Sequence, residues 1–378
     1  MKCLKRLRIF WFLAVFRRYL ALATGQEQII FINLKNYIVC MGNKTKAKKE
    51  VHQYIKEYIL SEEATQIMNS SDTFNEEGFD IWSFKKLILL EYYLKPYLTI
   101  LQSRGYTCYF IDLFSGCGAN KVSGEKVTSI GSSILSLLRG IVPIKSKSIN
   151  YHFKKWFFVD YNPTFCQSLR RRAMKTLEIL NKKYGENLVI DENVKILEGD
   201  CNEKINEIIL EIEKESNGHK IAVLAFIDPY TFTNINWKTW KTLLKLRYVD
   251  IIFTFPINTL KRGLSQCKEM EKYLPPSLIE LVKVRDITKI EDEEFSKRYA
   301  AEIAGIVNRP INYSEKGISV KNSKNSELYR IWLFTYSDPA ANLTSNLVKE
   351  LDRIDPSSLK MMFEKAKGKQ KSILDEYS

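Results

Sequence analysis

The sequence predicts an α/β protein built on a doubly wound parallel sheet. Short apolar runs alternate with helical stretches through the middle of the chain, and four aspartates each follow one of these runs. Apolar strands separated by helices are typical of parallel sheets that are covered on both faces. The carboxyl ends of such strands meet at one edge of the sheet, where open α/β sheets bind ligands. We therefore expect a ligand site at that edge.

The alternation begins after a strongly apolar helix. Apolar residues recur at three- and four-residue spacing from Trp82 to Leu98, and Gly105 ends the segment. We expect strands at 107–113, 155–160, 193–198, 221–228 and 249–255, and helices near 131–139, 164–181, 203–216 and 237–246. Together they form one domain over 107–276, preceded by an N-terminal helical segment over 44–106.

The first residues have a different character. We expect 1–43 to be an over-extended gene start or a disordered extension, because Met41 begins a polar, lysine-rich stretch. The apolar run at 9–16 has eight residues, which is too few to span a membrane.

After Pro275-Pro276 the alternation ends. We expect a small winged-helix-like α+β domain over 277–360, which supplies much of the nucleic-acid contact, and a basic tail over 361–378. The run at 328–336 alternates imperfectly, which suits a strand covered on most of both faces. The alternative is that this strand completes the main sheet as its final antiparallel member.

The composition favours a folded protein with an anionic partner. The net charge is +14 with an isoelectric point near 9.2, which suggests nucleic acid, although a lysine-rich genome can have the same effect. The seven cysteines are dispersed without C-x-x-C spacing, so we expect no metal centre. Reduced thiols and the lack of a membrane span predict a cytoplasmic protein.

The ten residues YFIDLFSGCG at 109–118 are the most informative. Asp112 ends a strand, and Phe114, Gly116 and Gly118 form an F-x-G-x-G turn. Glycines let the backbone approach a large ligand closely. The pattern resembles the cofactor loop of S-adenosylmethionine-dependent methyltransferases, although strand–Gly-x-Gly turns also serve nucleotides or only turn the chain.

The resemblance implies a role for each strand-end acid. Asp112 is placed to meet the cofactor's amino group, and Asp160 to accept both ribose hydroxyls. Asp200, with the adjacent Cys201, lies where methyltransferases contact the adenine. A single strand-end aspartate is most often a turn former or helix cap, but four in this order favour a site. We interpret the Cys117 and Cys201 thiols as packing groups, since no histidine is near them in the sequence.

The fourth acid opens the segment Asp228-Pro229-Tyr230, which resembles a shortened Asp-Pro-Pro-Tyr element of amino-group methyltransferases. In that element a carboxylate or amide holds the acceptor's NH₂ and the aromatic ring stacks on the base. We therefore expect these three residues to be catalytic. The second proline is missing, so a turn-forming proline between core aromatics is the alternative.

One spacing departs from the usual pattern. Asp160 lies 48 residues after Asp112, whereas a nucleotide-binding acid follows its glycine loop by about 20 residues. The excess falls in 119–130 and 140–152, so the crossover helix is expected to begin near Gly131. This insertion disfavours a dinucleotide-binding dehydrogenase.

Over about residues 80–340 the chain resembles the three-Cys-motif partner proteins (TcmP). The shared motifs are Trp82-Ser83, Lys86-Leu87, Tyr93-Leu94, residues 111–118, Gly131-Ser132-Ser133, Phe158-Val159-Asp160, Gly199-Asp200-Cys201-Asn202, residues 226–230, Phe253-Thr254-Phe255-Pro256 and Lys261-Arg262. The family usually has Ala and Pro where this chain has Ser115 and Cys117, and Pro at Ser133.

The resemblance implies a Rossmann-like methyltransferase domain, a winged-helix-like domain and a separate partner with a three-cysteine motif, related to radical S-adenosylmethionine enzymes. We expect methyl transfer to a base nitrogen of nucleic acid. The alternative is a non-catalytic module that binds cofactor and nucleic acid and assists the partner.

Overall fold

A computed structural model describes residues 46–76, 79–144, 148–216, 218–285, 290–307, 311–313 and 317–368. The expectation for 1–43 and the last ten residues of the basic tail lie outside these ranges. From Ala47 onward the chain forms one unit. Within the described ranges, no helix combines the length and apolar character needed to cross a membrane.

The structure contains twelve strands in the described ranges. They are β1 (Thr107–Asp112), β2 (Ala119–Lys121), β3 (Thr128–Ile130), β4 (Ile141–Ile144), β5 (Ile149–His152), β6 (Lys155–Asp160), β7 (Val194–Glu198), β8 (Ile221–Ile227), β9 (Val249–Phe255), β10 (Asn312–Tyr313), β11 (Ile318–Lys321) and β12 (Glu327–Thr335).

The helices of the same ranges, numbered in chain order, are α1 (Lys46–Tyr58), α2 (Glu62–Met68), α3 (Phe84–Gln102), α4 (Ser132–Arg139), α5 (Pro163–Tyr184), α6 (Cys201–Ser216), α7 (Trp237–Leu243), α8 (Ile257–Gln266), α9 (Pro276–Val284), α10 (Asp292–Gly305), α11 (Asp338–Arg353) and α12 (Pro356–Ala366).

Eight strands form the central sheet, in the order β10-β12-β9-β8-β1-β6-β7, with β11 also paired to β12. The strands from β9 to β7 are all parallel. Numbered by their order along the chain and read from β7 to β9, these five strands lie in the order 3-2-1-4-5. The winding therefore reverses between β1 and β8. This is a Rossmann-like, doubly wound sheet, and such sheets bind ligands at the point of reversal.

The five predicted strands are confirmed to within one residue at each end. Their interior residues are largely buried on both faces, as in β9, where all seven residues are buried. In β7, at the edge of the sheet, Lys195 and Ile196 are only half-buried. The predicted crossover helix is α4, whose N-cap is Gly131. The two insertions noted in the sequence form hairpins, β2–β3 and β4–β5.

The strand expected at 328–336 lies in the central sheet. β12 pairs antiparallel with β9, from Arg330 opposite Phe255 to Phe334 opposite Ile251. A separate winged-helix-like domain over 277–360 is not confirmed. The physical reason is that β9 is buried along its whole length, so its outer backbone groups need a hydrogen-bonded neighbour, and β12 supplies one.

The core joins the sheet to the helices on one face. Trp240 of α7 packs on the ring of Phe253 with 4.7 Å between centroids. Its indole N–H donates to the hydroxyl of Tyr299 in α10 over 3.0 Å. Residues after the predicted domain boundary therefore pack on the same core as β9.

Candidate functional site

The site lies at the carboxyl edge of the sheet, where the winding reverses. β1 pairs with β6 on one side and β8 on the other, all parallel. Asp112 and Asp160 end β1 and β6, while Asp200 and Asp228 follow β7 and β8 within two residues. The structure thus places all four predicted acids along one edge.

The glycine loop closes onto the end of β6. The Gly116 N–H donates to Oδ2 of Asp160 and the Asn162 N–H to Oδ1, each over 2.8 Å. The N–H and hydroxyl of Ser115 both donate to the Val159 carbonyl, at 2.9 and 3.0 Å. The Asp160 carboxylate is thereby fixed beside the loop.

Gly116 leaves open space next to this carboxylate. Its φ of +58° lies in the left-handed region, and a Cβ built there has no neighbour within 4 Å. An ionised carboxylate has about four acceptor positions, so Asp160 keeps capacity for further donors after its two amide bonds. Burial raises the pKa of Asp160, while those bonds lower it.

Gly118 serves packing instead. Its φ is +79°, and a Cβ would lie 2.9 Å from both Ile134 Cγ1 and Leu169 Cδ1. The Gly131 N–H donates to the Gly118 carbonyl over 2.8 Å, just where α4 begins. The second loop glycine therefore lets α4 and α5 pack directly against the loop.

Asp112 is fully buried, and its carboxyl connects the glycine loop to the start of α4. Its Oδ2 accepts from the Ser132 hydroxyl over 2.6 Å, and its Oδ1 from the Phe114 N–H over 3.2 Å. Burial raises the pKa of Asp112 to about 7 in spite of these two bonds. The sequence led us to expect contact with the cofactor's amino group, and this stays a prediction. In the structure the carboxyl holds the start of α4.

Arg172 of α5 is a supporting residue that the sequence analysis missed. Its buried guanidinium donates to the carbonyls of Cys117, Met68 and Ser71 over 2.7, 3.0 and 2.8 Å. It therefore ties the glycine loop to the last residue of α2 and to the segment that follows it. The sequence offered no signal, because Arg172 looks like one of several basic residues on a helix.

Asp200 is exposed and starts α6. Its Oδ1 accepts from the N–H and the side-chain amide of Asn202, over 2.9 and 2.7 Å. The neighbouring Cys201 is buried with Sγ 3.7 Å from the Asn234 carbonyl, and burial raises the pKa of its thiol to about 12. Cys117 is also buried. Both cysteines have the packed environment that the sequence suggested.

At the end of β8, Asp228 pairs with a lysine from α3. Nζ of Lys86 lies 2.5 Å from Oδ2 of Asp228, and both side chains are largely buried. Nζ also lies 5.7 Å and 5.6 Å from the ring centroids of Phe79 and Tyr329. The only signal for Lys86 in the sequence was its place in a shared motif.

The two residues after Asp228 differ in exposure. Pro229 is buried, whereas the Tyr230 side chain is 69% exposed. Tyr161, directly after Asp160, is exposed as well. Aromatic rings are thus presented to solvent beside two of the strand-end acids.

These residues fit S-adenosylmethionine by their chemistry. The cofactor brings a ribose diol, which suits the remaining acceptor positions of Asp160 next to the open face of Gly116. Its ammonium and sulfonium are cationic, and Asp160 and Asp200 present carboxylates at this edge, whereas Asp112 is fully buried and Asp228 pairs with Lys86. The fit identifies Asp160 and the Gly116 backbone as the groups best placed to hold it.

Comparisons with known proteins give only weak structural similarities, which assign neither a fold nor a function to this chain. No family model matches the chain, and no curated protein matches it significantly. A Legionella pneumophila structure is similar with a TM-score of 0.39 and 10% identity, covering 70% of this chain and 90% of that one. The O-methyltransferase from Bacillus cereus in complex with SAH has a TM-score of 0.36 and 14% identity, covering 75% and 96%. With scores this low, we base the function on this chain's own geometry.

Proposed function

We propose that the chain binds S-adenosylmethionine at the carboxyl edge of its sheet and transfers the methyl group to an acceptor. The observation that carries this is the hydrogen bond between Gly116 and Asp160 at the carboxyl ends of β1 and β6, beside the point where the winding reverses. The Asp160 carboxylate can accept further hydrogen bonds, and it lies beside a glycine loop that leaves room for a ligand.

When bound, the cofactor supplies an activated methyl group on its sulfonium. The chain's own contribution is then mainly to hold and align, since proximity and orientation provide much of the acceleration in such a transfer. Asp160 accepts the ribose hydroxyls, while Asp112 and Arg172 keep the loop in shape. We assign Asp200, which is exposed, to the adenine.

We further propose a base nitrogen of nucleic acid as the acceptor. The support is the segment Asp228-Pro229-Tyr230, whose tyrosine is exposed and free to stack on a base, together with the net charge of +14. Because Asp228 is paired with Lys86, an acceptor NH₂ either replaces Lys86 at the carboxylate or binds a backbone carbonyl of the segment.

The non-catalytic alternative depends on the surroundings of the same segment. Core packing of Asp228 and Tyr230 would have favoured a module that only retains the cofactor. Tyr230 instead projects into solvent, and Asp228 is held in an ion pair at the sheet edge. This exposure favours an acceptor site.

A partner with a three-cysteine motif remains part of the proposal. Its support is the ordered set of motifs shared with the three-Cys-motif partner proteins. Co-purification of such a protein with the tagged full chain from its own organism tests this point; its repeated absence at native expression contradicts it.

The proposed activity is tested with labelled methyl donor on total RNA, DNA and protein. We expect label in nucleic acid, and we expect Asp228→Asn and Tyr230→Ala to lose most of it while still binding the cofactor. Asp191→Asn is the matched control, because Asp191 is an exposed aspartate that pairs with Arg170. Label in protein alone, or in no fraction, contradicts the proposal.

A further inference from the structure

A cavity separate from the site at the sheet edge lies beside the first turn of α3, next to β11, β12 and the junction of α11 and α12. Its volume is about 380 Å³, which falls in the range of small-molecule sites. Its charged lining consists of Lys85, Glu293, Lys321, Glu327, Arg330, Asp352, Arg353 and Asp355.

The acids of this lining are already engaged. Both oxygens of Glu327 accept from Arg330, at 2.8 and 2.9 Å, and Glu293 pairs with Arg330 and with Lys297. Asp352 accepts from the Ser319 N–H over 2.8 Å. Asp355 caps α12 through the Ser358 N–H and hydroxyl, each at 2.8 Å.

The donors are not engaged to the same degree. Lys85 is only 3% exposed, and its Nζ makes a long hydrogen bond to the Ser319 carbonyl over 3.3 Å. In the part of the chain that the structure describes, the buried Ser319 hydroxyl has no hydrogen-bond partner. Among the described residues, neither Lys321 nor Arg353 has a carboxylate within ion-pair distance. The unused groups of the cavity are therefore hydrogen-bond donors, and most of them are cations.

We propose that this cavity binds a phosphate dianion, either free or on a small phosphomonoester, with Lys85 as its buried anchor. A buried ammonium is costly unless it is paired. The charges of Asp352 and Asp355 favour the protonated form of Lys85, but among the described residues no carboxylate lies within ion-pair distance of its Nζ, and a dianion supplies that direct partner. Lys321, Arg353 and the Ser319 hydroxyl complete a set of donors suited to phosphate oxygens. The site is separate from the methyl-transfer edge, so the proposal does not depend on that function.

Lys85 and Lys86 are consecutive residues of α3, one in this cavity and the other on Asp228.

Calorimetry of the full chain with inorganic phosphate and with ribose 5-phosphate tests the proposal and separates its two sources. We expect saturable binding of at least one, weakened at least tenfold in Lys85→Met. Lys95→Met, an exposed lysine of the same helix, is the matched control and keeps wild-type affinity. No binding of either probe, or equal affinity in Lys85→Met, overturns the proposal.

A pH series with sulfate tests the wild-type chain directly, should Lys85→Met not fold. Sulfate keeps its charge between pH 7 and 9.5, whereas burial lowers the pKa of Lys85 to about 8. The groups facing Lys85 are those of the charged lining given above. We expect sulfate affinity to fall at least tenfold over this range as Lys85 loses its proton. Affinity that is constant with pH contradicts Lys85 as the anchor.

Discussion

Gly116 and Gly118 have different physical reasons for being glycine, although they lie two residues apart in one loop. Gly116→Ala adds a Cβ in open space, so only the left-handed φ opposes it, at about 1 kcal/mol. Gly118→Ala also forces contacts at 2.9 Å with two core side chains, which adds about 1–3 kcal/mol. We predict that urea unfolding shows the larger loss of stability for Gly118→Ala. Equal losses contradict the packing role of Gly118.

Asp112 predicts a pH dependence of stability. Its pKa is about 7 in the folded chain, raised by burial from an ordinary value of 3.8. Between pH 4 and 7 the folded chain binds the Asp112 proton more tightly than the unfolded chain does. The contribution of this proton to the free energy of unfolding is therefore complete below pH 4 and is lost as the pH rises to 7. The side chain introduced by Asp112→Asn has no proton to lose. The free energy of unfolding of this variant should therefore rise relative to that of wild type as the pH increases from 4 to 7. A constant difference between the two across this range contradicts the buried acid.

At this scale, the sequence predicted some residues and could not predict others. The position of Asp160 at the end of β6 was predictable, because an apolar run marks the strand and strand ends meet at one edge. Lys86 and Arg172 were not given roles, because their partners Asp228 and Cys117 lie 142 and 55 residues away. Nothing local in the sequence encodes such contacts.

Among the elements, α5 and the glycine loop depend on one arginine. Arg172→Met leaves three buried carbonyls without their donor, which costs roughly 2–4 kcal/mol. Arg172→Lys keeps the charge but lacks the planar fork, so we predict only partial rescue. Lys182→Met is the control, since Lys182 is exposed on the same helix. Thermal unfolding measures all three, and a wild-type melting temperature for Arg172→Met contradicts the supporting role.

The strands show why one element was predictable only in part. The five parallel strands are short apolar runs bounded by turns, so their existence and limits follow from local sequence. The pattern of β12 suits any strand that is covered on both faces. Its place is decided by pairing with β9, 75 or more residues earlier in the chain, and this long-range register leaves no local signature.

For the whole molecule, the sheet predicts that the chain cannot be divided at residue 276. Truncation there removes β12 and leaves β9, with all its residues buried, as a bare sheet edge that invites aggregation. We predict that a chain ending at 276 is insoluble or lacks a cooperative thermal transition, as followed by circular dichroism. A soluble, cooperatively folding truncation would favour the separate C-terminal domain that the sequence first suggested.

The central claim is that Asp160 and the glycine loop form an S-adenosylmethionine site. Isothermal titration calorimetry of the full chain with S-adenosylmethionine measures this most directly, with Asp160→Ala and Asp160→Asn as variants and Asp191→Ala as an exposed control. We predict one site per chain, with affinity reduced at least tenfold, or about 1.4 kcal/mol, in both Asp160 variants and unchanged in the control. No heat of binding at millimolar ligand, or Asp160 variants that bind as tightly as wild type, would contradict the account.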